Sequence, residues 1–346
     1  QPCEIPNEEA SGNCIQPDDC LAYQKLVGDS FLDVEHESFI KRLNCSKTGI
    51  CCPRMATSYK HPRVFDLIES CGTAETEERI FGGEVARIYD FPWMALLFYE
   101  SKQTGQMHPS CGGVLLTKRW VLTAAHCVTG KGYRELGQLK LIRLGEHDLE
   151  TDVDCDSNGD CGDKAIDFNV ERMIAHPGYA SIDWDKHDDL ALVKLENEAP
   201  YTSFIRHICL PSYYNLTEPQ NDANMKFLAA GWGRTDFYNT STSVPSKIKL
   251  KVGLPHVGRE RCRSIYAKID RSIPDSQICA GGRKAQDTCR GDSGSPLMFY
   301  SHTYSRWFVY GIVSQGPSVC GTEGIPSIYT NMFKYDDWVR STIAVN

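Results

Sequence analysis

Sixteen cysteines in 346 residues constrain this chain more than any other feature. In a reducing compartment so many thiols point to metal binding, and in an oxidising one they point to disulfides. The spacings contain no paired C-x-x-C runs of the kind that hold structural zinc, so the disulfide reading is taken, and with it a secreted, extracellular location. Six of the cysteines, Cys3, Cys14, Cys20, Cys45, Cys51 and Cys52, fall within residues 1–52. A segment this short buries little apolar surface, and covalent staples offset that. Six cysteines can pair in roughly fifteen ways, and spacing alone does not choose among them. Between Cys20 and Cys45, Leu21, Leu26, Phe31, Val34, Phe39, Ile40 and Leu43 are interleaved with charges, which predicts one or two short helices or strands.

Three N-x-S/T sequons, at Asn44, Asn215 and Asn239, agree with secretion as candidate glycosylation sites, although unmodified polar loops would read the same way. The chain opens at Gln1-Pro-Cys, read as a mature start after removal of a signal peptide. Asp and Glu number 45 against 37 Lys and Arg, a formal charge of −8, which argues against nucleic acid as a partner. No apolar run approaches the length of about 18 residues that a membrane helix needs, so no transmembrane segment is expected.

Residues 53–79 read as a linker. "PRMATSYKHPR" is polar with two prolines, "TAETEE" is acidic and aperiodic, and Cys71 stands alone there. From Ile80 to Asn346 short β-rich runs recur between Gly and Pro: "WMALLFY", "GGVLL", "WVLTAAHC", "LKLIRLG", "DLALVKL", "WFVYGIVSQG" and "SIYTNM". That is a mainly β pattern, of sheets or barrels. The end, "YDDWVRSTIAV", places Tyr335, Trp338, Val339 and Ile343 on one helical face and predicts a closing amphipathic helix.

Three stretches carry chemistry. In "DTCRGDSGSP", Ser293 sits among small residues, in a turn that can expose its hydroxyl and aim the N–H groups of Gly291 and Ser293 at a developing oxyanion. "LTAAHC" supplies His126, followed by a cysteine able to anchor its loop. "HDDLALVKL" supplies a carboxylate at the mouth of a strand, from Asp188 or Asp189. A lone histidine is usually structural and an isolated "GDSG" can be a turn. The order His, Asp, Ser is one known order of the nucleophilic triad, and all three in sequence outweigh those readings.

"TAAHC", "DLALVKL" and "GDSGSP", with "RIFGG" in front, resemble the trypsin-like serine proteases, from Ile80 to the C-terminus. The six-cysteine segment ending in Cys51-Cys52-Pro53 is similar to a clip domain, so the whole resembles the arthropod clip-domain serine proteases. The resemblance implies a double six-stranded antiparallel β-barrel with a C-terminal helix, preceded by a small disulfide-rich clip domain at 1–52 and a linker at 53–79. It implies Ser293 as nucleophile, His126 as base and Asp189 as the acid that orients it. The family's acid is followed by aliphatic-Ala-Leu, and Leu190-Ala191-Leu192 meets that only if Asp189 rather than Asp188 is the acid. Ser314 would bond that carboxylate from behind. The implied disulfides are Cys3–Cys51, Cys14–Cys45, Cys20–Cys52, Cys71–Cys209, Cys111–Cys127, Cys155–Cys161, Cys262–Cys279 and Cys289–Cys320.

The resemblance also implies a zymogen, cut between Arg79 and Ile80 by an upstream trypsin-like protease. The new amino group of Ile80 would pair with Asp292, and Cys71–Cys209 would keep the two chains together. Asp287, six residues before Ser293, stands where the family places the base of the pocket for Arg or Lys, with Ser314, Gly316 and Ser327 around it. The departures are Gln315 where an aromatic wall is usual, Ser327 and Ser295 where the family has glycine, and Phe81 where Val is usual. The acidic run "EHDLETDVDCDSNGDCGDK" resembles the family's calcium loop, with Glu146 and Asp154 side chains and the backbone oxygens of Asp148 and Thr151 as ligands. A solvated acidic loop is the alternative. The implied setting is a haemolymph cascade of immunity or development. The implied substrates are prophenoloxidase (melanisation), a downstream protease zymogen or a Spätzle-like cytokine precursor, with a serpin as inhibitor. Some clip-domain chains act as adaptors with little catalysis, typically with the nucleophile replaced; here Ser293, His126 and Asp189 are all present.

Overall fold

In a computed structural model of the chain, the described residues are 2–4, 11–15, 45–46, 50–53, 71–74, 83–156, 158–183, 185–214, 216, 218, 225–235 and 245–346. The chain divides into two units, residues 1–66 with 344–346, and residues 67–343. In the first, strands β1 (Pro2–Glu4), β2 (Ser11–Ile15) and β3 (Ile50–Pro53) form an antiparallel sheet, in which Cys14 lies opposite Cys51. A disulfide joins Cys14 to Cys45, and Cys51 is also disulfide-bonded. The elements anticipated between Cys20 and Cys45 lie outside the described residues, as do the Cys3–Cys51 and Cys20–Cys52 pairings.

Some apolar runs of the second unit form strands buried on both faces, Trp120–Thr123 and Pro326–Asn331 along their whole length, whereas Gln138–Leu144 mixes buried with part-exposed residues. In β5 (Met94–Glu100) every residue except Phe98 and Glu100 is buried. With β6 (Met107–Thr117), β7 (Trp120–Thr123), β8 (Gln138–Leu144), β9 (Ile166–Ala175) and β10 (Ala191–Leu195) it closes an antiparallel barrel in the order β10-β7-β6-β5-β8-β9. A second closed barrel follows: β11 (Lys226–Gly231), β14 (Pro296–Ser301), β15 (Arg306–Gln315), β16 (Pro326–Asn331), β13 (Gln277–Gly281) and β12 (Leu250–Val257), with β12 returning to β11. The short β4 (Glu84–Val85) is added on the edge of β12.

Phe91, Trp93 and Trp307 pack ring against ring between the barrels. Helix α1 (Gly130–Leu136) follows the first barrel's histidine loop, and α2 (Arg259–Tyr266) is stapled to β13 by Cys262–Cys279. The closing helix α3 (Met332–Val345) buries Tyr335 and Val339 and packs Trp338 and Ile343 against the core, the face that the 3.6-residue period selects. The architecture is a double antiparallel six-stranded β-barrel with a C-terminal helix, and no helix among the described residues is long and apolar enough to cross a membrane.

Candidate active site

The first barrel supplies a histidine on a pinned turn. β7 ends at Thr123, and a single 3-10 turn, Ala125–Cys127, carries His126. Cys111–Cys127 ties that turn back to β6. Asp189 stands at the mouth of β10 and is 0% exposed. Its Oδ1 accepts from the His126 backbone N–H at 2.9 Å and its Oδ2 from His126 Nδ1 at 2.8 Å. The Ser314 hydroxyl, on β15, donates to the same Oδ2 at 2.6 Å. Thr330 Oγ1, on β16, donates to the Asp189 carbonyl at 2.8 Å. Burial opposes ionisation of Asp189. The facing His126, its hydrogen bond, the Lys186 ammonium and the Ser314 hydroxyl outweigh it and hold the carboxyl below its ordinary range. An ionised carboxylate on Nδ1 fixes the tautomer, leaving Nε2 free to take a proton. Asp188 is turned elsewhere: it takes a left-handed conformation (φ 54°) and accepts from the Tyr335 hydroxyl of α3 at 2.6 Å.

Ser293 lies in the turn between β13 and β14, close under the histidine loop. Its carbonyl accepts from Gly112 N of β6 at 2.8 Å, and Gly294 N donates to Val313 O at 2.9 Å. Gly294 has φ +82°, and a side chain on it would collide with Thr123 and the Gly112 carbonyl, so only glycine lets this turn approach the first barrel. Gly291, at φ +103°, makes the preceding bend. Among the described residues the N–H groups of Gly291 and Ser293 donate no hydrogen bond, so both remain available to an incoming anion. Between them, Asp292 accepts from Cys289 N (2.9 Å) and Gly233 N (2.8 Å). No cation among the described residues pairs with it, and burial pushes its carboxyl up to about 6.

A second buried carboxylate lies beside this turn. Asp287 is 9% exposed and accepts from Thr288 N at 2.9 Å and Gly321 N at 3.2 Å, in a region closed by Cys289–Cys320. Burial pushes it up to about 6; the nearby Ser327 hydroxyl and the two N–H groups pull it back, and the charge of Asp292 adds to the rise. The Ser327 hydroxyl favours the charged form by proximity without a hydrogen bond of full geometry. Gly316 faces that hydroxyl, so the space between them is bounded by small groups. Gln315 does not line the space as an aromatic would: its amide nitrogen donates to Asp185 O at 2.8 Å. Ser295 is buried, and its hydroxyl has no partner among the described residues.

The loop after β8 gathers buried charge. The carboxylates of Glu146 and Asp154 both accept from the His147 N–H, at 2.9 and 3.0 Å, and both are buried. Burial and the charge of Asp154 raise the Glu146 carboxyl, against the pull of Arg143 at 3.1 Å. Thr151 N donates to the Asp148 carbonyl at 3.1 Å, and Cys155–Cys161 closes the far end of the loop. Cys71 and Cys209 are bridged and fully buried against Phe308. Arg79, Ile80 and the sequons Asn44, Asn215 and Asn239 lie outside the described residues. Sequence reasoning missed Thr330, whose only signal was its place in "SIYTNM", and the Asp185, Gln277 and Gln315 contacts, which no spacing announces.

A buried carboxylate, an oriented imidazole, a serine and two free N–H groups are the parts required for acyl transfer. Comparisons with known proteins agree. The family model described as Trypsin matches residues 80–339. The chain is 39% identical to CLIP domain-containing serine protease B8 of Anopheles gambiae, over 98% of this chain and 89% of that protein. It is 35% identical to phenoloxidase-activating factor 1 of Holotrichia diomphalia, over 99% and 93%. Among solved structures, the Drosophila Grass clip serine protease of the Toll pathway aligns with a TM-score of 0.67 at 30% identity, covering 99% of this chain and 97% of that one.

Proposed function

The chain belongs to the trypsin family, as a clip-domain serine endopeptidase, and on that premise we propose that Ser293, His126 and Asp189 are the triad of a secreted zymogen that cuts after Arg or Lys. Ser293 Oγ attacks the scissile carbonyl as His126 Nε2 takes its proton. Asp189 stabilises the imidazolium without itself being protonated. The oxyanion lies against the Gly291 and Ser293 N–H groups. His126 returns the proton to the leaving amine, and a water molecule then repeats the sequence on the acyl-enzyme.

The observation that carries the specificity is Asp287, a buried carboxylate with no cation among the described residues, beside the nucleophile's turn. A guanidinium or ammonium supplied by substrate would complete it. Gly316 leaves the mouth open and Ser327 narrows the wall, which favours Arg over Lys. Activation cuts Arg79–Ile80, and the Ile80 ammonium completes Asp292 in the same way.

Relatives named for phenoloxidase activation and the Toll pathway support a place in a haemolymph cascade. There the chain would act on prophenoloxidase, a downstream protease zymogen or a Spätzle-like precursor under serpin control, with the clip unit binding a partner or surface. The paired Glu146 and Asp154 carboxylates fit a calcium ion, with the Asp148 and Thr151 carbonyls, because they are hard oxygens carrying negative charge that Arg143 and Lys249 offset only in part. Calcium would neutralise that charge and stiffen the loop. The test is to incubate the cut enzyme with each candidate precursor and sequence the new N-termini. New termini following residues other than Arg or Lys refute the pocket assignment, and failure to label Ser293 with an irreversible serine-directed probe refutes the triad.

A further inference from the structure

The loop that leads into Asp189 carries a cation that acyl transfer does not use. The Asp183 carboxylate accepts from Asp185 N (3.0 Å) and His187 N (2.9 Å). Gln277 Nε2 reaches the carbonyls of Asp185 (2.8 Å) and Lys186 (3.3 Å), and Gln315 Nε2 adds a bond to Asp185 O at 2.8 Å. Thus braced, Lys186 takes a left-handed conformation (φ 48°) and puts its Nζ 3.3 Å from the Ser314 carbonyl, on the residue that also holds Asp189. No carboxylate among the described residues forms an ion pair with this ammonium. The neighbouring Asp185 carboxylate is already taken by Arg271 and by Ser272 N. Burial disfavours the charge on Lys186, Asp189 supports it from a distance, and Arg271 opposes it. An ammonium keeps donors beyond the one spent on Ser314, and a half-buried charge whose near contact is a neutral carbonyl is unfinished.

A substrate with its Arg on Asp287 and its carbonyl at Ser293 has to pass along the Ser314–Gly316 end of β15, as an added strand does. Side chains of an extended segment alternate in direction, so the residue before the Arg points away from Asp287, to the Lys186 and His126 side. Resting on the site reading above, we propose that Lys186 is a specificity-determining residue that receives an acidic side chain immediately before the scissile Arg. The preferred cleavage sequence is then Asp-Arg or Glu-Arg.

The experiment uses the full chain cut after Arg79, its active sites counted with the irreversible serine-directed probe. Peptide amides of the form X-Arg, with X as Asp, Asn, Glu, Gln or Lys, are compared by kcat/KM. The isosteric pair Asp and Asn should differ by about two- to fivefold in favour of Asp, on the scale of one partly screened ion pair. Salt should shrink the ratio. In Lys186→Met the Asp-to-Asn ratio should collapse towards unity, and in Lys186→Glu it should fall below unity, with the Lys peptide cut fastest. Because each ratio is internal to one enzyme, a general loss of activity does not mimic the effect. Equal rates for Asp and Asn in the wild type, or a ratio unchanged in Lys186→Met, overturn the proposal. So does a preference confined to some other position. An enzyme that takes no probe and cuts no peptide refutes the triad reading, and this proposal with it. An active enzyme with a flat ratio refutes this proposal alone.

Discussion

At the scale of single residues, two adjacent aspartates do different work. Asp189 is oriented by His126, Ser314 and Thr330, while Asp188 is tied to Tyr335. Replacing Asp189 by Asn should favour the wrong imidazole tautomer and lower kcat by about ten-thousandfold. Asp188→Asn keeps an acceptor for Tyr335 and should leave kcat nearly unchanged; steady-state kinetics on an Arg amide separate the two. The carboxylate proposed for the substrate pocket carries a pH signature. Asp287 is raised to about 6 by burial, so it is charged at pH 7 and neutral at pH 5. Its attraction for a cation is therefore present above about 6 and lost as pH falls through it. The inhibition constant of benzamidine, a cation that needs no acylation, should be flat near pH 7 and weaken about tenfold per unit well below 6. A constant affinity from pH 7 to pH 4.5 would place the cation on some other group.

At the scale of elements, the loop after β8 makes a prediction of its own. Glu146 and Asp154 share one N–H and repel one another, and calcium between them would relieve that. Millimolar calcium should raise the melting temperature with the logarithm of its free concentration and protect the loop from nicking. Chelator should reverse both effects, and Glu146→Gln should abolish both. Identical melting in all conditions removes the site without touching the triad. Elements also differ in how openly the sequence declares them. β5, β7, β8, β10, β15 and β16 sit under apolar runs, and α3 under a helical period. β9 is less open because half of its residues are exposed and Glu171-Arg172 interrupts the alternation that Ile166, Phe168 and Val170 begin. α1, "GKGYREL", is hidden because two glycines argue against a helix, and its context in the fold overrides that propensity. The site shows the same division. Ser293, His126 and Asp189 are announced by motifs, whereas Lys186 and Gln315 make contacts 91 to 130 positions away in sequence, beyond any local pattern.

At the scale of the whole molecule, the proposed activation turns on which buried carboxylate gains its partner, and when. Asp292 sits among the Gly231, Gly233 and Cys289 backbones with two N–H donors and no cation among the described residues. Its carboxyl, raised to about 6, lies above its ordinary range. That raised value contributes stability that is fully present below the ordinary range and lost as pH rises through about 6. The uncut chain should therefore lose melting temperature between about pH 4 and pH 6 more steeply than its Asp292→Asn variant. On the proposed activation, a cut after Arg79 would let the Ile80 ammonium supply the missing charge, and this difference in slope should vanish. In the cut form Asp292→Asn should cost about 3–5 kcal/mol, the scale of a buried ion pair deprived of one partner, and lose activity with it. Cys71–Cys209 is fully buried against Phe308, and Gly72 exchanges hydrogen bonds with His207 and Trp307, so the upstream chain is held by more than the disulfide. Two bands should appear only on a reducing gel. Arg79→Gln should give one band under either condition and no hydrolysis of an Arg amide after exposure to an upstream trypsin-like protease. If Arg79→Gln hydrolyses that substrate as fast as the cut wild type, the turn around Ser293 is formed without the Ile80 ammonium, and Asp292 is no switch.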